Sequence, residues 1–294
     1  MSSIRHPTDP SRYRTIDLFL RPSAAVSSRH LAYDVGVRRV FRFIVLLIVK
    51  AVAMTFYRLE ASSIDGGPIP GHPWDGIRLI CLLNHTSLYE PLFAAAVPNR
   101  FLWQIARRAV VPIAEITLNR PLLGPFLRLL IAHPVPITRE PDHTWEAVLR
   151  TIEKNDNSMV IILPEGRMRR ANGLDRHNKP MTARGGVTQI LQTMGSGEML
   201  MAYSGGLHHV QIPGQAFPKV FKTIRIKFEL LEIGAYLSAM QAQAAGRPLK
   251  NAVKADLDRR RDLHCPMTSE STRQPVAAAA HSHRDVARRR INAH

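Results

Sequence analysis

The stretch IRLICLLNHTSLYE occupies residues 77–90. Its first half, Ile77–Leu83, is a short and mostly apolar run that predicts a strand buried on both faces, and it ends at the polar residue Asn84. Two later runs follow the same pattern: MVIIL at 159–163 ends in PEGR, and MLMAY at 199–203 ends in SGG. In a parallel sheet such ends meet at one edge, where ligands bind.

Helical stretches at 144–153 and 186–194 separate these runs. The predicted fold is therefore α/β, with a single central, mostly parallel sheet flanked by helices. The run TIRIKFELL at 223–231 alternates strictly between apolar and polar residues, which indicates a half-exposed strand nearer the sheet edge. We expect a polar arm and amphipathic helix over 1–60, a folded body over 61–235, and a helical, then disordered, basic tail over 236–294.

The composition of the 294 residues is that of a globular protein, with 45% hydrophobic and 21% charged residues, which excludes a disordered or fibrous chain. Two cysteines, Cys81 and Cys265, cannot form a disulfide scaffold, and we expect free thiols in a reducing compartment.

The charge is strongly basic: 40 Lys and Arg stand against 23 Asp and Glu, a net charge of +17. Such a chain attracts polyanions. Aromatic residues make up only 6% and are not interleaved with the basic ones, which argues against a nucleic-acid platform. Two interpretations of the positive charge remain: binding to an anionic membrane face, or a basic surface that is merely solvated.

The segment Phe43–Tyr57 (FIVLLIVKAVAMTFY) is the membrane candidate of the sequence. It is shorter than the ~20 apolar residues of a spanning helix and has Lys50 in its middle. On a helix, Arg39, Arg42 and Lys50 share one stripe, and the remaining surface is apolar. This pattern predicts an amphipathic helix in the membrane interface, with a buried helix as the alternative.

His85 at a strand end, with Glu90 five residues later, can form a base and its orienting carboxylate. On one continuous helix the two would point about 140° apart. The pair therefore requires His85 in a turn and Glu90 in the first turn of a following helix, with Thr86 or Ser87 as its N-cap. The alternative is that Asn84 and His85 merely cap a turn.

The second polar stretch, LPEGRMRR at 163–170, places Glu165 and three arginines at a strand end. Arginine forks bind phosphate, and Gly166 lets the backbone approach a ligand. A solvated basic loop is the alternative. Arg139 follows another short apolar run, PVPIT at 134–138, and by itself does not indicate a function.

The order NHTSLYE, PITR about 50 residues later, and LPEGR about 25 further on resembles the motif order of the glycerolipid (PlsC-like lysophospholipid) acyltransferase family. The resemblance spans Ile77 to Leu231. It implies that His85 is the general base, that Glu90 orients it, and that Arg139 holds the acceptor phosphate. It also implies acceptor binding by Glu165 and Gly166. The residues expected to contact substrate are Asn84, Ser87, Arg139, Glu165, Gly166 and Arg167.

The chain departs from the family pattern at two places. The family usually has Asp where this chain has Glu90, and its third motif usually continues Glu-Gly-Thr-Arg, whereas Arg167 and Met168 follow Gly166 here.

The resemblance implies a bacterial glycerolipid O-acyltransferase, peripheral at the cytoplasmic face of the inner membrane. It would move a fatty acyl group from acyl-CoA or acyl carrier protein to a lysophospholipid hydroxyl, most simply that of 1-acylglycerol-3-phosphate. We expect no metal, no bound cofactor and no nucleic-acid partner.

Three other functions are weighed against this one. Ser204 in AYSGG matches a loose nucleophile elbow of a serine hydrolase, although the stretch LHHVQIPG at 207–214 after it is predicted to be a loop and not the required helix. His208-His209 or the tail pair His281 and His283 could bind zinc, but no H-E-x-x-H or C-x-x-C spacing accompanies them. A non-catalytic, basic lipid-binding relative is the third.

Overall fold

The computed structural model describes residues 24–67, 74–138, 144–175, 177–212, 215 and 217–266, with side chains from residue 35 onward. Internal contacts divide the chain into two units, 1–41 and 42–294. The described part of the first unit is helical and is the beginning of α1 (Ala24–Phe56). All that follows concerns the second unit.

The second unit is built on one seven-stranded sheet with the order β1-β7-β6-β2-β5-β3-β4. All neighbouring strands are parallel except the antiparallel pair β6 and β7. This confirms the predicted fold class. The strands are β1 (Tyr57–Ser63), β2 (Ile77–Leu83), β3 (Ala109–Ala114), β4 (His133–Ile137), β5 (Met159–Ile162), β6 (Glu198–Ser204) and β7 (Lys222–Glu232).

Helices cover both faces of this sheet. After α1 they are α2 (Asn99–Arg108), α3 (Glu115–Leu118), α4 (Leu123–Leu130), α5 (Thr144–Glu153), α6 (Gly186–Met194), α7 (Ile233–Ala244) and α8 (Leu249–His264). Two short 3₁₀ helices, Trp74–Gly76 and Glu90–Ala96, immediately precede and closely follow β2.

The core consists of two apolar clusters, one on each side of the sheet. In β2, Ile77 and Ile80 belong to the first cluster, while Leu79, Cys81 and Leu83 belong to the second. The first cluster includes side chains of α1, α2 and α4, and the second those of α5, α6, α7 and α8. A strand covered on both faces needs apolar residues at successive positions, which explains why β2 was recognisable as a run.

β7 alternates as predicted, with Ile224, Ile226 and Phe228 buried, and it lies second from the sheet edge. The edge strand itself is β1, which the sequence analysis did not anticipate. Its residues YRLEASS include only one buried side chain, Tyr57, so it carries no run of apolar residues to signal a strand.

The C-terminal half of α1 packs on the sheet through Leu46 and Ala53, while Ile44 and Ile48 are exposed. The prediction that Lys50 faces outward with the cationic stripe is wrong. Its Nζ donates to the carbonyl of Val97 at 2.8 Å and to Asn99 Oδ1 at 2.9 Å. Among the described helices, none is long and apolar enough to cross a membrane.

Candidate active site

The site lies where three neighbouring strands end. β2 stands between β6 and β5 and is parallel to both, so the three strands end at the same edge of the sheet. The segments that follow them begin at Asn84, Leu163 and Gly205. The fold therefore gathers the polar motifs that the sequence placed at strand ends.

His85 and Glu90 form a pair across the turn after β2. His85 Nδ1 lies 3.1 Å from Glu90 Oε1, and 15% and 9% of the two side chains are exposed. Nδ1 is buried and makes no well-aligned hydrogen bond, so the contact is one of charge and proximity. Since Nδ1 faces the carboxylate, Nε2 is the ring atom left for a substrate hydroxyl.

The turn that holds this pair is organised by Glu90 itself. Its Oε1 accepts hydrogen bonds from the backbone N–H groups of Thr86 and Ser87, both at 3.0 Å. Glu90 begins a 3₁₀ helix, so the expected turn-then-helix arrangement is present. Neither Thr86 nor Ser87 is its N-cap, however, because Tyr89 occupies that position without a side-chain cap.

The environment of His85 sets its basicity. Burial alone lowers the pKa of His85, but the negative charge and contact of Glu90 outweigh burial, and the net pKa is raised above its ordinary value. A buried imidazole with a carboxylate behind it can accept a proton from a hydroxyl and remain stable as imidazolium. The pair is chemically equipped for general-base catalysis.

Glu165 holds the backbone of the same turn from the other side. Its Oε1 accepts the N–H of Asn84 at 2.8 Å, and its Oε2 accepts the N–H of His85 at 3.1 Å. Asn84 has φ of +64°, and its side-chain amide donates to the carbonyl of Ser204. These bonds stabilise a left-handed conformation that a non-glycine residue rarely adopts. Burial raises the pKa of Glu165, although the two backbone N–H groups act in the opposite direction.

Ser87 and Thr86 tie the turn to the segment after β6. Ser87 Oγ donates to Gln211 Oε1 at 2.9 Å, and Thr86 Oγ1 accepts the N–H of Leu207 at 2.7 Å. Both side chains are buried. The hydroxyl of Ser87 is therefore engaged within the protein, and its expected contact with substrate stays a prediction.

The glycine and the first arginine of the third motif differ in how freely they can contact a ligand. Gly166 is exposed with φ of +63°, a conformation that glycine adopts without strain. The guanidinium of Arg167 pairs with the buried carboxylate of Asp175, so this group, like the hydroxyl of Ser87, is engaged within the protein. Arg139, the expected phosphate ligand, lies outside the described residues.

The rival sites do not have the geometry they need. Ser204 is fully buried, its Oγ accepts the N–H of Gly206, and the next element is strand β7 rather than a helix. His208 and His209 each direct Nε2 to a different backbone carbonyl, at 2.7 Å. His281 and His283 lie outside the described residues.

Several site residues escaped the sequence analysis. Asp175 partners Arg167, Gln211 partners Ser87, and Arg184 Nε donates to the carbonyl of Glu165 at 3.4 Å. None belongs to a recognisable spacing. They are brought to the site by loops whose course depends on the whole sheet, so no local signal could have identified them.

Comparison with known proteins finds a family model that matches part of the chain. The family model described as Acyltransferase matches residues 71–209. No curated protein matches the chain. Among solved structures, the chain is similar to the crystal structure of the 1-acyl-sn-glycerophosphate (LPA) acyltransferase, PlsC, from Thermotoga maritima, with 16% identity and a TM-score of 0.47 over 80% of this chain and 88% of that one. Residues 71–209, just under half of the chain, are therefore similar to the acyltransferase family, in agreement with the order of the motifs.

Proposed function

We propose that this protein transfers a fatty acyl group from an acyl thioester to a hydroxyl of a lysophospholipid, with 1-acylglycerol-3-phosphate as the acceptor. One observation carries the proposal: within an acyltransferase-family domain, His85 and Glu90 lie 3.1 Å apart at the edge where three strands end. That is the place and the pairing that proton removal from a hydroxyl requires.

In the proposed reaction, Nε2 of His85 takes the proton of the acceptor hydroxyl as its oxygen attacks the thioester carbonyl carbon. The tetrahedral intermediate collapses with cleavage of the C–S bond. The departing thiolate then receives the proton from the imidazolium, which restores His85. Glu90 stabilises the imidazolium through the contact at Nδ1, and no covalent acyl-enzyme is formed.

The substrates are assigned by charge and by the family resemblance. The acceptor phosphate and the phosphates of acyl-CoA or acyl carrier protein are all anionic, which suits a chain of net charge +17. Arg139 is proposed as the ligand of the acceptor phosphate. Asn84, Glu165 and Ser87 support the catalytic turn through the bonds described above.

We further propose that the protein works at the cytoplasmic face of the inner membrane as a peripheral enzyme. The support is the exposed apolar surface of α1, where Ile44 and Ile48 face away from the core. A lysophospholipid resides in a membrane, so an enzyme that presents an apolar helix there gains direct access to its acceptor.

The test is acyl transfer by purified protein in lipid micelles. Labelled acyl-CoA and acyl carrier protein are offered with a panel of lysolipids, and wild type is compared with His85→Ala and with the exposed-histidine control His177→Ala. We expect transfer to 1-acylglycerol-3-phosphate that falls about 10²- to 10⁴-fold in His85→Ala and is unchanged in the control.

Three outcomes contradict the proposal. Transfer that survives His85→Ala excludes this residue as the base. No transfer by wild type to any lysolipid, together with binding to anionic vesicles, indicates a non-catalytic lipid-binding relative. Hydrolysis that disappears in Ser204→Ala but persists in His85→Ala indicates the serine hydrolase instead.

A further inference from the structure

The third motif of this chain has no arginine at position 168, where its family pattern has one. Position 168 is Met168, and the preceding Arg167 is paired with the buried carboxylate of Asp175. An arginine engaged with a buried carboxylate cannot turn to a ligand without leaving that carboxylate unpaired. Neither residue therefore presents a guanidinium to a substrate at this loop.

Arg184, which follows the third motif by about 20 residues in the sequence, lies beside that motif in the structure. Its backbone N–H donates to the carbonyl of Pro164 at 2.9 Å, and its Nε donates to the carbonyl of Glu165 at 3.4 Å. Its Cδ and Nε lie 3.1 and 3.2 Å from the position that a Cβ on Gly166 would occupy. Main chain and side chain are thus both anchored to the third motif, and the absence of a side chain at Gly166 makes room for them.

The outer part of this guanidinium is available to a ligand. Arg184 is exposed, and no carboxylate of the described residues lies within ion-pair distance of it. With Nε fixed on Glu165, the two terminal nitrogens keep the fork that matches two oxygens of a phosphate.

A second source of positive potential lies beside Arg184. The nine-residue helix α6 begins at Gly186, two positions after Arg184, and no side chain caps its first turn. The dipole of such an end favours an anion, although the N–H of Thr188 already donates to the carbonyl of Gly185 at 3.1 Å. The helix end therefore adds to the positive potential near Arg184 without offering a separate site.

We propose that Arg184 binds a phosphate of the substrate beside the third motif, where the arginine of the family pattern is missing at position 168. The inference rests on the proposed function and names a phosphate ligand at that same site. Glu165 connects the two parts: its carbonyl accepts Arg184 Nε, and its carboxylate accepts the N–H of His85. The bound phosphate is thereby fixed relative to the base, and we assign it to the acceptor rather than to the thioester donor.

The test compares Arg184→Gln and Arg184→Lys with the control Arg150→Gln, an exposed arginine of α5 that pairs with Glu146 one turn away. We expect the KM for 1-acylglycerol-3-phosphate to rise about tenfold or more in Arg184→Gln, because a charge-assisted fork to phosphate is lost. The kcat and the KM for acyl-CoA should stay within about twofold of wild type. Arg184→Lys should recover part of the loss, because lysine keeps the charge but not the fork.

The source of the phosphate is decided by the KM that changes. A rise confined to the KM for acyl-CoA assigns the phosphate to the donor and overturns the acceptor assignment. Unchanged KM values for both substrates overturn the site altogether, as does an equal effect in Arg150→Gln.

A binding measurement separates this inference from the proposed reaction. Dodecyl phosphate below its micellar concentration is titrated into wild type and Arg184→Gln by calorimetry, with dodecanol as the uncharged comparison. We expect binding of dodecyl phosphate to weaken about tenfold in the variant and that of dodecanol to be unchanged. If wild type catalyses no transfer but shows this difference, the reaction is wrong and the phosphate site stands. Binding that is independent of Arg184 shows that the site is wrong.

Discussion

At the scale of single residues, the charge of Glu90 governs the protonation of His85. The carboxylate raises the pKa of His85 against the opposing effect of burial. A general base must be deprotonated to act, so kcat/KM should rise with pH through the pKa of His85 and level off above it.

Glu90→Gln is the substitution that tests this relation. Removal of the negative charge takes away the larger of the two carboxylate effects that raise the pKa of His85, and leaves that of Glu165, so the acid limb of the kcat/KM profile should move to lower pH. The plateau should fall by about 10²-fold or more, because the imidazolium loses its stabilising carboxylate. Profiles measured from about pH 5 to pH 9 provide the check, with Glu153→Gln, an exposed glutamate of α5, as the control. An acid limb that stays in place would show that Glu90 does not set the basicity of His85.

The sequence predicted the proposed catalytic pair but not the residues that hold its turn in place. The spacing of His85 and Glu90 after an apolar run is a local signal, and the structure brings the two together as expected. The position of Glu165 was found in the same way. Its burial and its two bonds to the turn were not, because they depend on β2 and β5 lying side by side. Contacts between residues on neighbouring strands cannot be predicted from the spacing of residues within one segment.

At the scale of elements, the local pattern of apolar residues predicted the central strand and the helices that cover it. β2, α5 and α6 have the bounds that their residues indicated. β3 lies inside the sheet yet was missed, because AVVPIA is short and contains Pro112, which cannot donate to a ladder and argues against an interior strand. Pairing with β4 and β5 keeps this segment in the sheet despite the proline.

The last helix, α8, is attached to the sheet by a charged network. Arg260 Nη1 contacts both oxygens of Glu229 at 2.7 and 2.6 Å, and its Nε contacts Asp256 Oδ2 at 2.7 Å. Tyr203 and Tyr236 donate their hydroxyls to the same two carboxylates. The network connects β6, β7, α7 and α8, and one arginine neutralises two largely buried acids.

Arg260→Ala should therefore destabilise the protein by about 3–5 kcal/mol, because Glu229 is left largely buried without its counter-charge and the buried Asp256 keeps only its contact with the more exposed Arg259. Denaturant unfolding followed by circular dichroism measures the free energy. Arg259→Ala is the matched control: Arg259 also contacts Asp256, but 56% of its side chain is exposed, so its loss should cost about 1 kcal/mol or less. Equal losses in the two variants would contradict a special role of Arg260.

At the scale of the whole molecule, we propose that the net charge of +17 and the apolar face of α1 act together at a membrane. Charge attracts the protein to anionic lipid over a distance of about a Debye length, which salt shortens. The apolar face acts only on contact and is insensitive to salt. Because Lys50 is turned toward Val97 and Asn99, this part of α1 offers apolar side chains rather than a cationic stripe.

The double substitution Ile44→Ser and Ile48→Ser isolates the contribution of the helix. The two side chains are 46% and 57% exposed, and burial of their apolar area in lipid should contribute roughly 2–3 kcal/mol in total. Partitioning into anionic vesicles should weaken by roughly 30- to 100-fold, and the remaining binding should disappear at high salt because only charge supports it. Leu263→Ser on α8, where 64% of the side chain is exposed, should leave partitioning unchanged if the effect is specific to α1. Vesicle sedimentation at low and high salt measures both components, and equal partitioning of wild type and the double variant would mean that charge alone holds the protein at the membrane.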